Sequence, residues 1–369
     1  MNRLFRWDQM GLFLLALAAG ILPFAVPEVC AAALREGLAL CCGPLLLSLF
    51  PFLVVSRLLI QCPESDLLAL PFRLAAWGIG IRTPCAARVL CIGFLGGFAP
   101  AASAAAQAVR TGQLTAEEAD ALLPACICSG PSFVVLTVGQ SLLGSAELGV
   151  LLFASQITAN YLTAALLNRF AGVRSVKPGS AAPASPAPLR LDEILADAAI
   201  TYCKLCGFIL LFRMLAAGAG ALLPAGAGTL CAVLLEVCSG CDLASRTGRW
   251  GSLLCCAALS VQGLSVLLQV RTICPPEMTL RPLYRSRLLH LPLSLALFYL
   301  LLPGGEADVF STLPARVLLK RRVPPDCALL VFAVCCMAAC TLRSGIRQVE
   351  QKQMARNAGG CCINSKTLL

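Results

Sequence analysis

The residues with chemical potential in this chain are polar groups stranded in apolar sequence. The apolar run 195–217 holds Asp197, Lys204 and Arg213. A charge at membrane depth is costly and therefore faces a partner or a wet cavity. Asp197 and Lys204 are seven residues apart and share a helical face, while Arg213, nine further on, lies on the other. Two arrangements are open. In one, Asp197 pairs with Lys204 near the cytoplasmic end and Arg213 reaches to the far side. In the other, the cations form a site for an anionic solute. Glu236 is the only acid in its apolar run and stands just before Cys238-Ser239-Gly240. Such a carboxylate can bind a cation, carry a proton or make a structural hydrogen bond across a helix break.

A second group of residues interrupts helices. Pro44 and Pro51 fall in the run 38–61; Gly96, Gly97 and Pro100 fall in 85–108; Ser129-Gly130-Pro131-Ser132 falls in 121–142. In the second half the matching places are Ser239-Gly240 and Gln262-Gly263 with Ser265. Proline supplies no N–H and glycine permits turns that other residues resist. Each break frees backbone groups that lipid cannot satisfy, so it must be buried in protein or line a cavity. Paired breaks, one per half, can satisfy each other around a small wet site, where helix N-termini favour a carboxylate.

The remaining chemistry is thin. Cys203/Cys206 and Cys238/Cys241 form two CxxC pairs, but the first lies mid-run and the chain has 22 cysteines. Helix packing explains them better than zinc, and no metal or cofactor is expected. Reduced thiols are expected at Cys41-Cys42, Cys255-Cys256 and Cys335-Cys336. His290 stands alone at the start of a span and reads as interfacial. No nucleotide-binding loop, dinucleotide fingerprint or nucleophile elbow occurs, so neither ATP coupling nor enzymatic activity is expected.

The elements that must position these residues are membrane helices. The chain has 369 residues, 58% hydrophobic and only 13% charged. A span takes about 20 apolar residues, and little is left over for a soluble domain. The composition excludes a soluble enzyme, a nucleic-acid-binding domain and a disulfide-stapled secreted module. The net charge of +10 sits in short connections and reads as topology rather than nucleic-acid binding. Apolar runs fall near 10–26, 38–61, 67–81, 85–108, 121–142, 147–168, 195–217, 227–240, 250–270, 287–303 and 327–342. The first, behind Arg3 and Arg6, reads as an uncleaved signal anchor.

The organisation is two membrane halves, 1–170 and 191–345. An Ala/Pro/Ser linker at 171–190 joins them, and a basic tail follows at 346–369. Gly112 to Asp120 contains a capping-box pattern, Thr115 with Glu118, which predicts a tight corner between helices near 101–110 and 116–127. The basic linker and the 271–287 loop, with Arg271, Arg281, Arg285 and Arg287, are expected in the cytoplasm. Making 121–142 and 227–240 re-entrant keeps both on that side. The basic run 316–322 and the tail compete for the same face. The fold class is an all-α polytopic bundle with broken and re-entrant helices.

An ordered set of motifs resembles the YlbJ/SpoVV sporulation integral membrane protein family, which carries the nucleoside-recognition or gate domain. The set comprises Gly43 to Phe52, Gly93 to Phe98, the corner from Gly112 to Ala119, Ser129 to Phe133, Leu235 to Gly240, and Gly263 to Val266 with Gln269. The resemblance implies two gate-like halves and a place in the outer forespore membrane of the mother cell. It implies passage of a small organic anion, dipicolinic acid, with the bilayer and other spore-maturation membrane proteins as partners. Ile127 and Cys128 stand where the family tends to have asparagines. Ser103 replaces a lysine, and Leu267 or Leu268 a histidine. A non-transporting scaffold and a nucleoside or metal-ion permease are the alternatives.

Overall fold

The computed structural model describes residues 2–171 and 190–302. The linker 172–189, the run 327–342, the basic run 316–322, Cys335-Cys336 and the tail 346–369 lie outside the described residues. Among those described, every regular element is helical. Four helical stretches are long and apolar enough to cross a membrane: Pro27–Leu47, Ala146–Phe170, Leu191–Leu222 and Gly248–Ile273. A fifth candidate is a pair bent by 106°, Leu70–Ile79 with Pro84–Gly96.

In chain order the helices are α1 (Asn2–Ala25), α2 (Pro27–Cys42), α3 (Pro44–Gln61), α4 (Leu70–Ile79), α5 (Pro84–Gly96), α6 (Phe98–Arg110) and α7 (Ala116–Cys126). A π-helix, Ser132–Leu142, leads into α8 (Ala146–Ala171). Then come α9 (Leu191–Leu222), α10 (Ala225–Leu235), α11 (Val237–Ser245), α12 (Gly251–Val261), α13 (Gly263–Ile273) and α14 (Arg281–Leu301).

Local sequence explains the boundaries. Gly43 separates α2 from α3, and Pro44 takes the first position of α3, where a missing N–H costs nothing. Pro51 does not break its helix; it lies inside the continuous α3. Pro100 likewise sits in the first turn of α6 and starts a helix rather than ending one. The capping box is present in full. Glu118 N donates to Thr115 Oγ1 and Thr115 N donates to Glu118 Oε2, both at 3.1 Å.

Two pairs of short helices fold back on themselves. Gly97, at φ +80°, turns the chain between α5 and α6. Arg88 on α5 and Gln113 in the corner just after α6 both donate to Ile60 O. Glu236 makes the equivalent turn between α10 and α11, and a Cβ on Gly240 would meet Val233 Cα at 2.8 Å. The segment 227–240 folds back at Glu236; the break expected at Ser239-Gly240 does not occur, because both residues lie inside α11. In the first half the structure reverses the expectation: 85–108 folds back, and 121–142 runs through. Helix α8 is about 39 Å long by its 26 residues. Near its end Asn168 donates to Ala121 O, whereas its start directly follows the π-helix. Residues 121–146 thus travel the length of the bundle.

The two folded-back pairs enter from opposite ends. The first corner lies beside the start of α14, where Asp120 accepts from Thr279 and Leu280 backbone N–H groups at 2.8 and 3.1 Å. The second corner, Arg246 to Trp250, lies beside its end: Thr247, Trp250 and Tyr299 line one apolar groove. Leu280 and Tyr299 are about 28 Å apart along the helix.

Candidate functional site

The four helix interruptions meet inside the bundle. A Cβ on Gly97 would lie 2.7 Å from Gly130 N, so the tip at Gly96-Gly97 rests on the break after α7. A Cβ on Gly263, itself at φ +70°, would lie 3.0 Å from Glu236 N, so the second tip rests on the break after α12. The halves touch through Gln262 Nε2, which donates to Ser129 Oγ at 3.4 Å. Gln262 is buried, sits at φ +65° and leaves its Oε1 without a partner.

The predicted site residues divide accordingly. Ser129, Gly130, Gln262 and Gly263 gather at the crossing with Gly96 and Gly97. Pro131 is half-buried beside them, and Ser132 starts the π-helix with an exposed side chain. Ser265 is buried on α13 and accepts from Gln269 Nε2 at 2.9 Å. Glu236 is committed to capping: its carboxylate accepts from Cys238 N and Ser239 N at 2.8 and 2.7 Å. Gly240 packs on α10.

Lys204 is exposed on α9. The Asp197–Lys204 pair, one of the two arrangements left open, does not form, because Asp197 binds Arg57 Nη1 at 2.7 Å. Arg57 is almost buried on α3 and needs a counter-charge more than the exposed Lys204 does. Arg213 pairs with Glu36 at 2.8 Å and lies close enough to Glu236 for their charges to interact. Cys206 meets Cys41 and Cys241 meets Cys255, with Cys238 close enough to both Cys41 and Cys241 for their charges to interact. The sixteen described cysteines are all free.

A polar cluster absent from the sequence reading lies against the crossing. The sequence pattern puts Arg287 in a cytoplasmic loop and His290 at the interface; in the structure both are buried in α14, His290 completely. The helix starts at Arg281 rather than near 287, which carries both residues inward. Arg287 donates to Ser260 O at 3.3 Å, to Asn160 Oδ1 at 3.4 Å and to Ser286 Oγ at 3.3 Å. His290 Nε2 faces Gln156 O at 3.2 Å. Gln156 also donates to Ser260 Oγ at 3.0 Å, and Ser260 Oγ meets Ser294 Oγ. The signal for these residues was periodicity. Gln156, Asn160 and Thr163 make a polar stripe at i, i+4, i+7, and Arg287, His290 and Ser294 make one at i, i+3, i+7.

No family model, curated protein or solved structure matches this chain.

Proposed function

We propose that the chain is a multi-pass permease that passes a small organic anion across a membrane without using ATP. The observation that carries this reading is the opposition of two folded-back hairpins, each with its tip seated on a break in a through-running helix. With α4 set aside as an insertion after α3, the order α3, α5–α6, α7 with the π-helix, then α8 recurs as α9, α10–α11, α12 with α13, then α14. The second set runs in the opposite sense. Inverted repeats with interrupted helices at mid-depth are the architecture of secondary transporters, which bind solute at the breaks. The π-helix and α13 both start at the crossing, and helix starts favour negative charge. Glu236 spends its carboxylate on a cap and adds no free acid there.

Arginine distribution supports an orientation. Arg57, Arg82, Arg88, Arg110, Arg169, Arg190, Arg271, Arg281 and Arg285 belong to the end that holds the first corner and the start of α14. Arg35, next to the Glu36 that pairs with Arg213, belongs to the other, as do Arg213, Arg246 and Arg249. The richer end is cytoplasmic by the positive-inside rule, and it includes the point where the linker joins α9. The sporulation setting, the outer forespore membrane and dipicolinic acid as the solute rest on the resemblance to the YlbJ/SpoVV family.

The test is uptake of labelled pyridine-2,6-dicarboxylate into liposomes holding the purified protein. Saturable uptake above empty liposomes is the expected result. Folded protein with no uptake of this or simpler carboxylates would overturn the reading. Spore dipicolinate in a deletion strain, with and without the gene restored, tests the setting.

A further inference from the structure

We infer that Arg287 and Asn160 form a binding site for one carboxylate group; the choice of a carboxylate rests on the permease reading, the site itself on geometry. Arg287 is 8% exposed. Arg57, Arg88 and Arg213 each have an acid within 2.7 to 3.1 Å. Among the described residues Arg287 has none. Its three hydrogen bonds go to neutral acceptors at 3.3 to 3.4 Å, longer than the 2.7–2.9 Å typical of a charge-assisted bond. A guanidinium carries five N–H groups, so donors remain. A buried cation without a counter-charge is strongly unfavourable. This position therefore calls for an anion that the described chain does not supply.

The neighbours favour the same ligand. Arg287 has only donors, so the Asn160 atom facing it is the carbonyl oxygen. That fixes the Asn160 amide, whose Nδ2 has no acceptor. Thr163 Oγ1, one turn along the same face of α8, is also buried without a partner. Guanidinium, amide and hydroxyl thus offer unmet donors from α14 and α8. A planar anion with two acceptor oxygens matches the guanidinium fork better than a point charge does. The site adjoins the crossing, because Arg287 holds the carbonyl of Ser260, two residues before Gln262.

The experiment measures thermal unfolding of the detergent-purified full chain during titration with sodium acetate or benzoate, at constant ionic strength set with chloride. Wild type should be stabilised by the carboxylates in a saturable way, beyond the effect of chloride. Arg287→Gln should abolish the response. Because that variant can fail to fold, Asn160→Asp is the decisive one. It gives Arg287 an internal carboxylate, so the protein should unfold at or above the wild-type temperature. Its half-saturating carboxylate concentration should rise about ten- to a hundredfold, the equivalent of losing one charge-assisted hydrogen bond. A wild-type response in Asn160→Asp, or no response in wild type, overturns the site. Carboxylate binding without flux in liposomes removes the permease reading and leaves the site. Flux with unchanged half-saturation in Asn160→Asp removes the site and leaves the permease.

Discussion

Gln262 donates through its side-chain amide to Ser129 Oγ at 3.4 Å, so the unwound turn after α12 touches the unwound turn after α7. The contact joins residues 133 positions apart. It depends on a backbone at φ +65° that favours glycine. Gln262→Gly accepts that backbone freely and removes the buried amide with its unpartnered oxygen. The unfolding temperature should hold or rise, the relief being about 1 kcal/mol, while carboxylate uptake into liposomes falls. A lower unfolding temperature with unchanged uptake would make Gln262 a packing residue.

Glu236 separates capping from proton chemistry. Glu236→Gln keeps one oxygen for the Cys238 or Ser239 amide and leaves the other N–H unpaired, so stability should fall by less than in Glu236→Ala while uptake stays near wild type. Glu236→Ala strips the cap from α11 and should cost about 1–2 kcal/mol, read as a lower midpoint of thermal unfolding in detergent. A folded Glu236→Gln protein without uptake would assign the carboxylate a role in transport.

The two corners should report from opposite sides of the membrane. A reporter active only in the cytoplasm, inserted at Glu277, should be active; the same reporter inserted at Gly248 should be silent. A fusion at Ala182 in the linker should behave like the one at Glu277. Equal activity at Glu277 and Gly248 would refute the inverted arrangement.

The capping box and the break at Gly96-Gly97 were legible in sequence because each is decided within a few residues; the turn at Glu236 was not, since Ser239-Gly240, where a glycine suggested the break, continue α11. Nor was the exchange of roles between 85–108 and 121–142. Both are apolar runs interrupted by glycine and proline, and direction is set by partners far away, such as Ile60 for Gln113 and Asn168 for Ala121. The same holds for charge. Arg287 follows Arg281 and Arg285 and reads with them as part of a basic loop. Only the start of α14 at Arg281, fixed by the capture of Thr279 and Leu280 on Asp120, draws Arg287 inside. Arg57 went unnoticed because its partner, Asp197, is 140 residues away.

The hairpin helices α10 and α11 have 11 and 9 residues, about half of what a bilayer crossing takes. Neither can be held by lipid alone, and their turn at Glu236 exposes backbone that hydrocarbon does not satisfy. Their seat is the break at Gln262-Gly263, which leaves the ribosome after them. The tip is thus made before the break it rests on: α9, already synthesised, packs against α10 first, and the contact at Gly263 closes only once α12 and α13 follow.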